Sequence, residues 1–159
     1  MKKKKKEENR SYATVQWMSE KSTLLESIFI GIILMGLLLN YLAVPKSNIL
    51  IIIGFSSLAI LYYFLGYAEP KESNLSAMEK VVLVARGSST SVCLLGILFS
   101  LQKWIGNTNL LGVGAISLTL VFGTMIYFYF KNRTSKDFSI ENLLKSGLIL
   151  IVTVARLLN

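Results

Sequence analysis

Four apolar stretches of about 20 residues, separated by short polar turns, constrain this chain more than any other feature. They run from Leu24 to Val44, Ile49 to Tyr67, Val81 to Leu101 and Leu110 to Phe130. At a rise of about 1.5 Å per residue, a helix of that length crosses the hydrocarbon core of a bilayer. The apolar residues come in blocks rather than at amphipathic spacing, which marks membrane spans and not the core of a water-soluble domain. The expected fold is all-α: a polytopic transmembrane helical bundle of four spans and a fifth, built from two similar helical hairpins. The expected segments are a basic tail with a short interfacial helix (1–22), a first hairpin (23–67), a loop (68–78), a second hairpin (79–130), a basic loop (131–139) and a terminal stretch (140–159).

Charge sets the orientation. The net charge of +8 lies almost wholly in tails and loops. With the N-terminus cytoplasmic, the inner segments carry Lys2 to Lys6, Arg10, Lys21, Lys71, Lys80, Lys131, Arg133 and Lys136, while the outer turns carry Lys46 and Lys103. This obeys the positive-inside rule and predicts a multi-pass protein of the bacterial inner (plasma) membrane. Nucleic acid is excluded as a partner, because the lysines flank apolar spans and no recognition module accompanies them. The tail MKKKKKEENR is too polar to fold alone and fixes topology, with anionic lipid within its reach. Tyr12, Val15, Trp17 and Met18 fit an interfacial helix, since Trp and Tyr favour the headgroup region. A lysine-rich start before an apolar run also fits a signal peptide. The run from Leu24 to Val44 is too long for one and lacks a small-residue cleavage pattern, so it is an uncleaved first span.

The terminal stretch, Ile140 to Leu158, has two readings. With Lys145 and Arg156 snorkelling toward opposite surfaces, its length of about 28 Å suffices to cross. Otherwise Asn142, Lys145, Thr153 and Arg156 form a polar stripe on a helix lying in the interface. The fifth span is favoured.

Shifted by 61 residues, the first hairpin lies over the second: Ser47-Asn48-Ile49-Leu50 meets Thr108-Asn109-Leu110-Leu111, Pro45 meets Gly106, Gly54 meets Ala115 and Ser56 meets Ser117. A second echo sets Val84-Ala85-Arg86 against Val154-Ala155-Arg156. Both hairpins run in-out-in, so the repeat is parallel. The text from Leu38 to Asn48 (LLNYLAVPKSN) and from Leu98 to Asn109 (LFSLQKWIGNTN) resembles the helix–turn–helix pattern of GldL-type inner-membrane proteins of gliding motility and type IX secretion in Bacteroidota. The resemblance covers about half the chain and implies a shared hairpin architecture within a membrane assembly. GldL-type motors use a membrane-embedded glutamate with a nearby lysine or histidine to draw on the proton gradient. Here neither second helix of a hairpin holds an acid and the histidines of the turn are absent, so the motor role does not carry over.

Little else points to chemistry. The chain has no histidine, which removes His-based triads and most zinc or haem ligation. No nucleotide-binding loop or nucleophile–base pattern is present. Its nine acids fall in tails, loops or helix ends, which predicts no buried carboxylate. Cys93 reads as a small buried hydrophobe. No catalytic residue, metal site or cofactor is expected.

The odd segment lies in the third span: Arg86, Gly87, Ser88, Ser89, Thr90 and Ser91. Charged groups inside a span are costly and call for partners or a wet surface. One reading is a packing seam, in which these small and hydroxylated residues meet Gly112, Ala115, Thr119 and Gly123 on the fourth span. A second is a pore face, with Arg86, Thr90, and Ser89 or Cys93 lining a channel between copies, and a third is a partner-binding face. Arg86 itself is expected to snorkel or to pair with Glu26 or Glu141. The expected function is that of a non-enzymatic scaffold or accessory subunit of an inner-membrane assembly, with a small homo-oligomeric channel as the alternative. The expected partners are the lipid bilayer and other membrane proteins or further copies of the chain.

Overall fold

The computed structural model describes residues 16–68, 76–131 and 139–158, and among them there is no strand. The basic tail to residue 15 and the loops 69–75 and 132–138 lie outside the described residues. Five helices carry the fold: α1 (Ser22–Tyr41), α2 (Ser47–Gly66), α3 (Ala77–Leu101), α4 (Asn107–Lys131) and α5 (Ile140–Leu158). Of the expected interfacial helix, residues 16–20 are helical and run into α1, with the Leu25 N–H donating to the Lys21 carbonyl. α1 to α4 are long and apolar enough to cross a membrane, so the chain is a multi-pass membrane protein.

The spans begin where local chemistry starts a helix rather than where hydropathy rises. α3 opens four residues before Val81 on a capping box: the Ser76 Oγ accepts from the Glu79 N–H, and the Ser76 N–H donates to the Glu79 Oε2 at 2.7 Å. Glu79 is buried, and that reciprocal pair gives its Oε2 a backbone partner.

α3 is the central helix, packed against α2, α4 and α5, whereas α1 packs on α2 alone. α5 lies along α3 and α4. Two ends follow from this layout. The turn end holds the α1–α2 and α3–α4 turns, and the loop end holds the α2–α3 and α4–α5 connections.

Both turns have one backbone design. Ala43 and Lys46 in the first, and Lys103 and Gly106 in the second, all have positive φ, between 55° and 86°. The N–H groups of Leu42, Ala43 and Val44 bond the carbonyls of Leu38, Asn40 and Leu39; those of Gln102, Lys103 and Trp104 bond Leu98, Ser100 and Phe99. These positions are 60 apart, not 61. The 61-residue alignment matched Pro45 to Gly106, but the left-handed residue equivalent to Gly106 is Lys46.

Close helix contacts recur at the same spacing. A Cβ on Gly36 would lie 2.9 Å from the Ile51 nitrogen, and one on Gly96 would lie 3.1 Å from the Leu111 nitrogen. Gly54 abuts Ile33 as Gly114 abuts Cys93. The pattern reaches α5, because Gly87 meets Tyr62 of α2 and Gly147 meets Phe122 of α4. Lipid offers apolar helices no hydrophobic reason to associate, so such close approaches and the van der Waals packing around them hold the bundle. The echo of Val84-Ala85-Arg86 in Val154-Ala155-Arg156 has no structural counterpart. Arg86 bonds Asn142 near the loop end, and Arg156 lies beside Ser100 at the turn end.

α5 carries Glu141, Lys145 and Arg156 and is not among the four span-length apolar helices. Its amphipathic character is inside out. Leu143, Ser146, Ile149 and Thr153 are buried, while Leu144, Leu148, Ile151 and Leu158 are exposed. The expected polar stripe does not face water as a unit: Thr153 is 0% exposed and Asn142 and Lys145 bond to neighbouring helices, whereas Arg156 is exposed.

Candidate functional site

An ionic cluster near the loop end joins four helices. Glu26 sits in the second turn of α1 and is 8% exposed, although acids in the interior were not expected. The Lys145 Nζ of α5 lies 2.7 Å from the Glu26 Oε2 and 2.9 Å from the Glu141 Oε1. One turn of helix separates Glu141 from Lys145, so the second contact is an i,i+4 pair. Beside them the Arg86 Nη2 donates to the Asn142 Oδ1 at 2.9 Å. The Tyr62 phenol of α2 lies within electrostatic reach of Glu26, Arg86 and Glu141. Both carboxylates thus pair with Lys145, while Arg86 bonds the neutral Asn142 beside them.

Its placement follows from the helix contacts beneath it. The approach of Gly87 to Gly66 brings the backbones of α2 and α3 together, leaving Tyr62 and Arg86 close to one another. α1 and α5 do not pack against each other, yet Lys145 reaches Glu26 across the space between them. A buried carboxylate in a membrane helix survives only with partners of this kind. The absence of any buried acid, expected from the sequence, is therefore corrected. The signal was present: Glu26 and Lys145 each interrupt an apolar run, at depths that match once the helices alternate in direction.

Arg86 bonds Asn142, and the Tyr62 phenol is within electrostatic reach both of Arg86 and of the two acids proposed for it. Gly87, Ser89, Thr90 and Ser91 are buried, and Ser88 is half-buried. Cys93 and Thr153 are completely buried, Thr153 donating to the Ile149 carbonyl within its own helix. The Thr90 Oγ1 is enclosed without a hydrogen-bond partner.

The proposed facing stripe on α4 is corrected in part. Ala115 is buried, but Thr119 and Gly123 are exposed and Gly112 is half-exposed. Nothing lies within 4 Å of a Cβ built on either Gly112 or Gly123. Thr119 instead returns its hydroxyl to the Ala115 carbonyl of its own helix. α4 presents Leu111, Gly114, Ala115, Leu118, Val121 and Met125 inward, and Gly114 takes the contact with α3 at Cys93. Gly87 meets α2. The close contact of this segment is thus made by Gly87 with Tyr62 and Gly66 of α2, and the close contact of α3 with α4 falls at Cys93 and Gly114.

Comparisons of the chain with protein-family models, with curated proteins and with solved structures find no match.

Proposed function

We propose that this protein is a non-enzymatic scaffold or accessory subunit of a bacterial inner-membrane assembly, acting through helix–helix contacts, with its N-terminus cytoplasmic. The observation that supports this is the enclosure of α3: Ser89, Thr90, Ser91 and Cys93 are buried against neighbouring helices of the same chain. A homo-oligomeric pore lined by the third span needs those groups to face water. Partners, whether other membrane proteins or further copies, have most room on α1, which packs on α2 alone and exposes Leu24, Leu34, Met35 and Leu38. The hairpin resemblance to GldL-type proteins agrees with membership of an assembly.

The recurrence at 60 residues fits a hairpin duplicated in tandem, with α5 as the opening helix of a third copy. On that reading α5 crosses as a fifth span, its apolar face toward lipid. Arg156 then stands where Gly36 and Gly96 receive the following helix.

The test is purification of the tagged chain from its native membrane in mild detergent, paired with reconstitution into liposomes. A membrane partner at fixed ratio, and no conductance above protein-free liposomes, supports the scaffold. A ring of the chain alone that conducts overturns it.

A further inference from the structure

Between the last turn of α5 and the α3–α4 turn lies a cleft of about 300 Å³, lined by Ser100, Asn107, Thr108, Leu111, Arg156 and Leu157. Its free hydrogen-bonding chemistry is one-sided. The Thr108 N–H and Oγ1–H both donate to the Asn107 Oδ1, at 2.6 and 3.0 Å. That occupies the Asn107 carbonyl oxygen and leaves its Nδ2 donors free. Among the described residues, the Ser100 hydroxyl and the Arg156 guanidinium have no partner either. Among the described residues, no carboxylate lines the cleft. An arginine, an amide nitrogen and a hydroxyl, with no carboxylate among the described lining residues, suit an anion.

Location narrows the anion. The cleft is at the turn end, where α3 gives way to α4 at the edge of the apolar spans, the depth at which lipid headgroups lie. A planar guanidinium fork matches the oxygens of a phosphate. Leu157, half-buried at the rim, supplies a small apolar edge that a glycerol backbone would cover, while Leu111 is 2% exposed.

We propose that this cleft is a phosphate-group site occupied by the headgroup of a membrane phospholipid, with free phosphate as the other source of the same chemistry. The site does not depend on the scaffold reading, since its residues lie at the opposite end from the ionic cluster. Arg156 supplies the charge, Ser100 and Asn107 supply neutral donors, and Lys103, on the same turn, is outside the lining and serves as a control.

The experiment is a titration of the full chain, purified and delipidated in detergent, with dioleoylphosphatidylglycerol under native mass spectrometry, followed by competition with inorganic phosphate. The first lipid should bind about tenfold more weakly to Arg156→Ala, with Arg156→Lys between it and the wild type, because a point charge replaces a fork. Ser100→Ala should weaken binding by a smaller factor, and Lys103→Ala should leave it unchanged. Competition by millimolar inorganic phosphate that disappears in Arg156→Ala assigns the site to free phosphate; no competition assigns it to the lipid. Equal first-lipid affinity in wild type, Arg156→Ala and Ser100→Ala, or equal loss in Lys103→Ala, overturns the proposal. Unchanged thermal unfolding of Arg156→Ala identifies its loss as one of binding, and Ser100→Ala keeps the test decisive if that variant is unstable.

Discussion

Single atoms decide the packing of this bundle. A Cβ at Gly87 would lie 2.6 Å from both the Gly66 Cα and the Tyr62 carbonyl oxygen, and backbone cannot step aside as a side chain can. Gly87→Ala should therefore destabilise the fold by about 1–3 kcal/mol, the usual range for overpacking. Gly112→Ala and Gly123→Ala meet nothing and should be neutral or slightly stabilising in a helix. Unfolding of the three variants in detergent separates the two glycine classes, and equal effects would contradict the assignment of the seam. The turns allow a second residue-level test. Lys46 has φ 67° where its counterpart is Gly106 at 86°. A left-handed conformation costs a side-chain-bearing residue about 1 kcal/mol, so Lys46→Gly should stabilise and Gly106→Lys should destabilise by up to that amount. The same sign for both substitutions would break the 60-residue equivalence. The seam was half legible in the sequence. The small residues of α3 were visible as a group, but in lipid every face of a helix tolerates apolar side chains, so burial leaves no periodic trace on α4. Gly112, Thr119 and Gly123 looked like a seam for that reason, and the true contact at Gly114 sits two residues beyond Gly112. The register slipped by one because the alignment weighted proline and glycine as turn formers, whereas backbone φ marks Lys46.

The helices themselves were plain in the sequence, because each apolar block has the length that a span requires. What stayed hidden was which helices touch. Glu26 and Lys145 are 119 residues apart, and their pairing depends on α5 lying along α3 and α4 within side-chain reach of α1. A double-mutant cycle on Glu26→Gln and Lys145→Met should return a coupling of about 1–2 kcal/mol, the range for hydrogen bonds to charged groups, trimmed because Lys145 keeps some exposure. Coupling near zero would mean that α1 and α5 stand apart. The inside-out face of α5 bears on topology. If α5 crosses, an alkaline phosphatase fused after residue 158 is active outside, whereas a green fluorescent protein in its place does not fluoresce. The reverse pattern would place α5 along the cytoplasmic surface and remove the fifth span.

As a whole, the molecule buries several of its polar groups, among them Glu26, Thr90 and Thr153, and turns a largely apolar surface outward along α1, α2 and α4, with Leu34, Ile60, Ile116 and Leu120 all exposed. Its ionic cluster joins four helices, and the hydroxyls of Ser89, Thr90 and Ser91 are enclosed among neighbouring helices of the same chain, the arrangement the scaffold reading expects. The scaffold reading rests on that enclosure, and Cys93, the single cysteine of the chain, sits 0% exposed within it. The most direct measurement is labelling of native Cys93 in intact membranes by a membrane-impermeant thiol reagent applied to each side in turn. An enclosed α3 predicts no labelling from either side and full labelling after denaturation. Labelling of the folded protein from water would contradict the account and restore a water-lined third span.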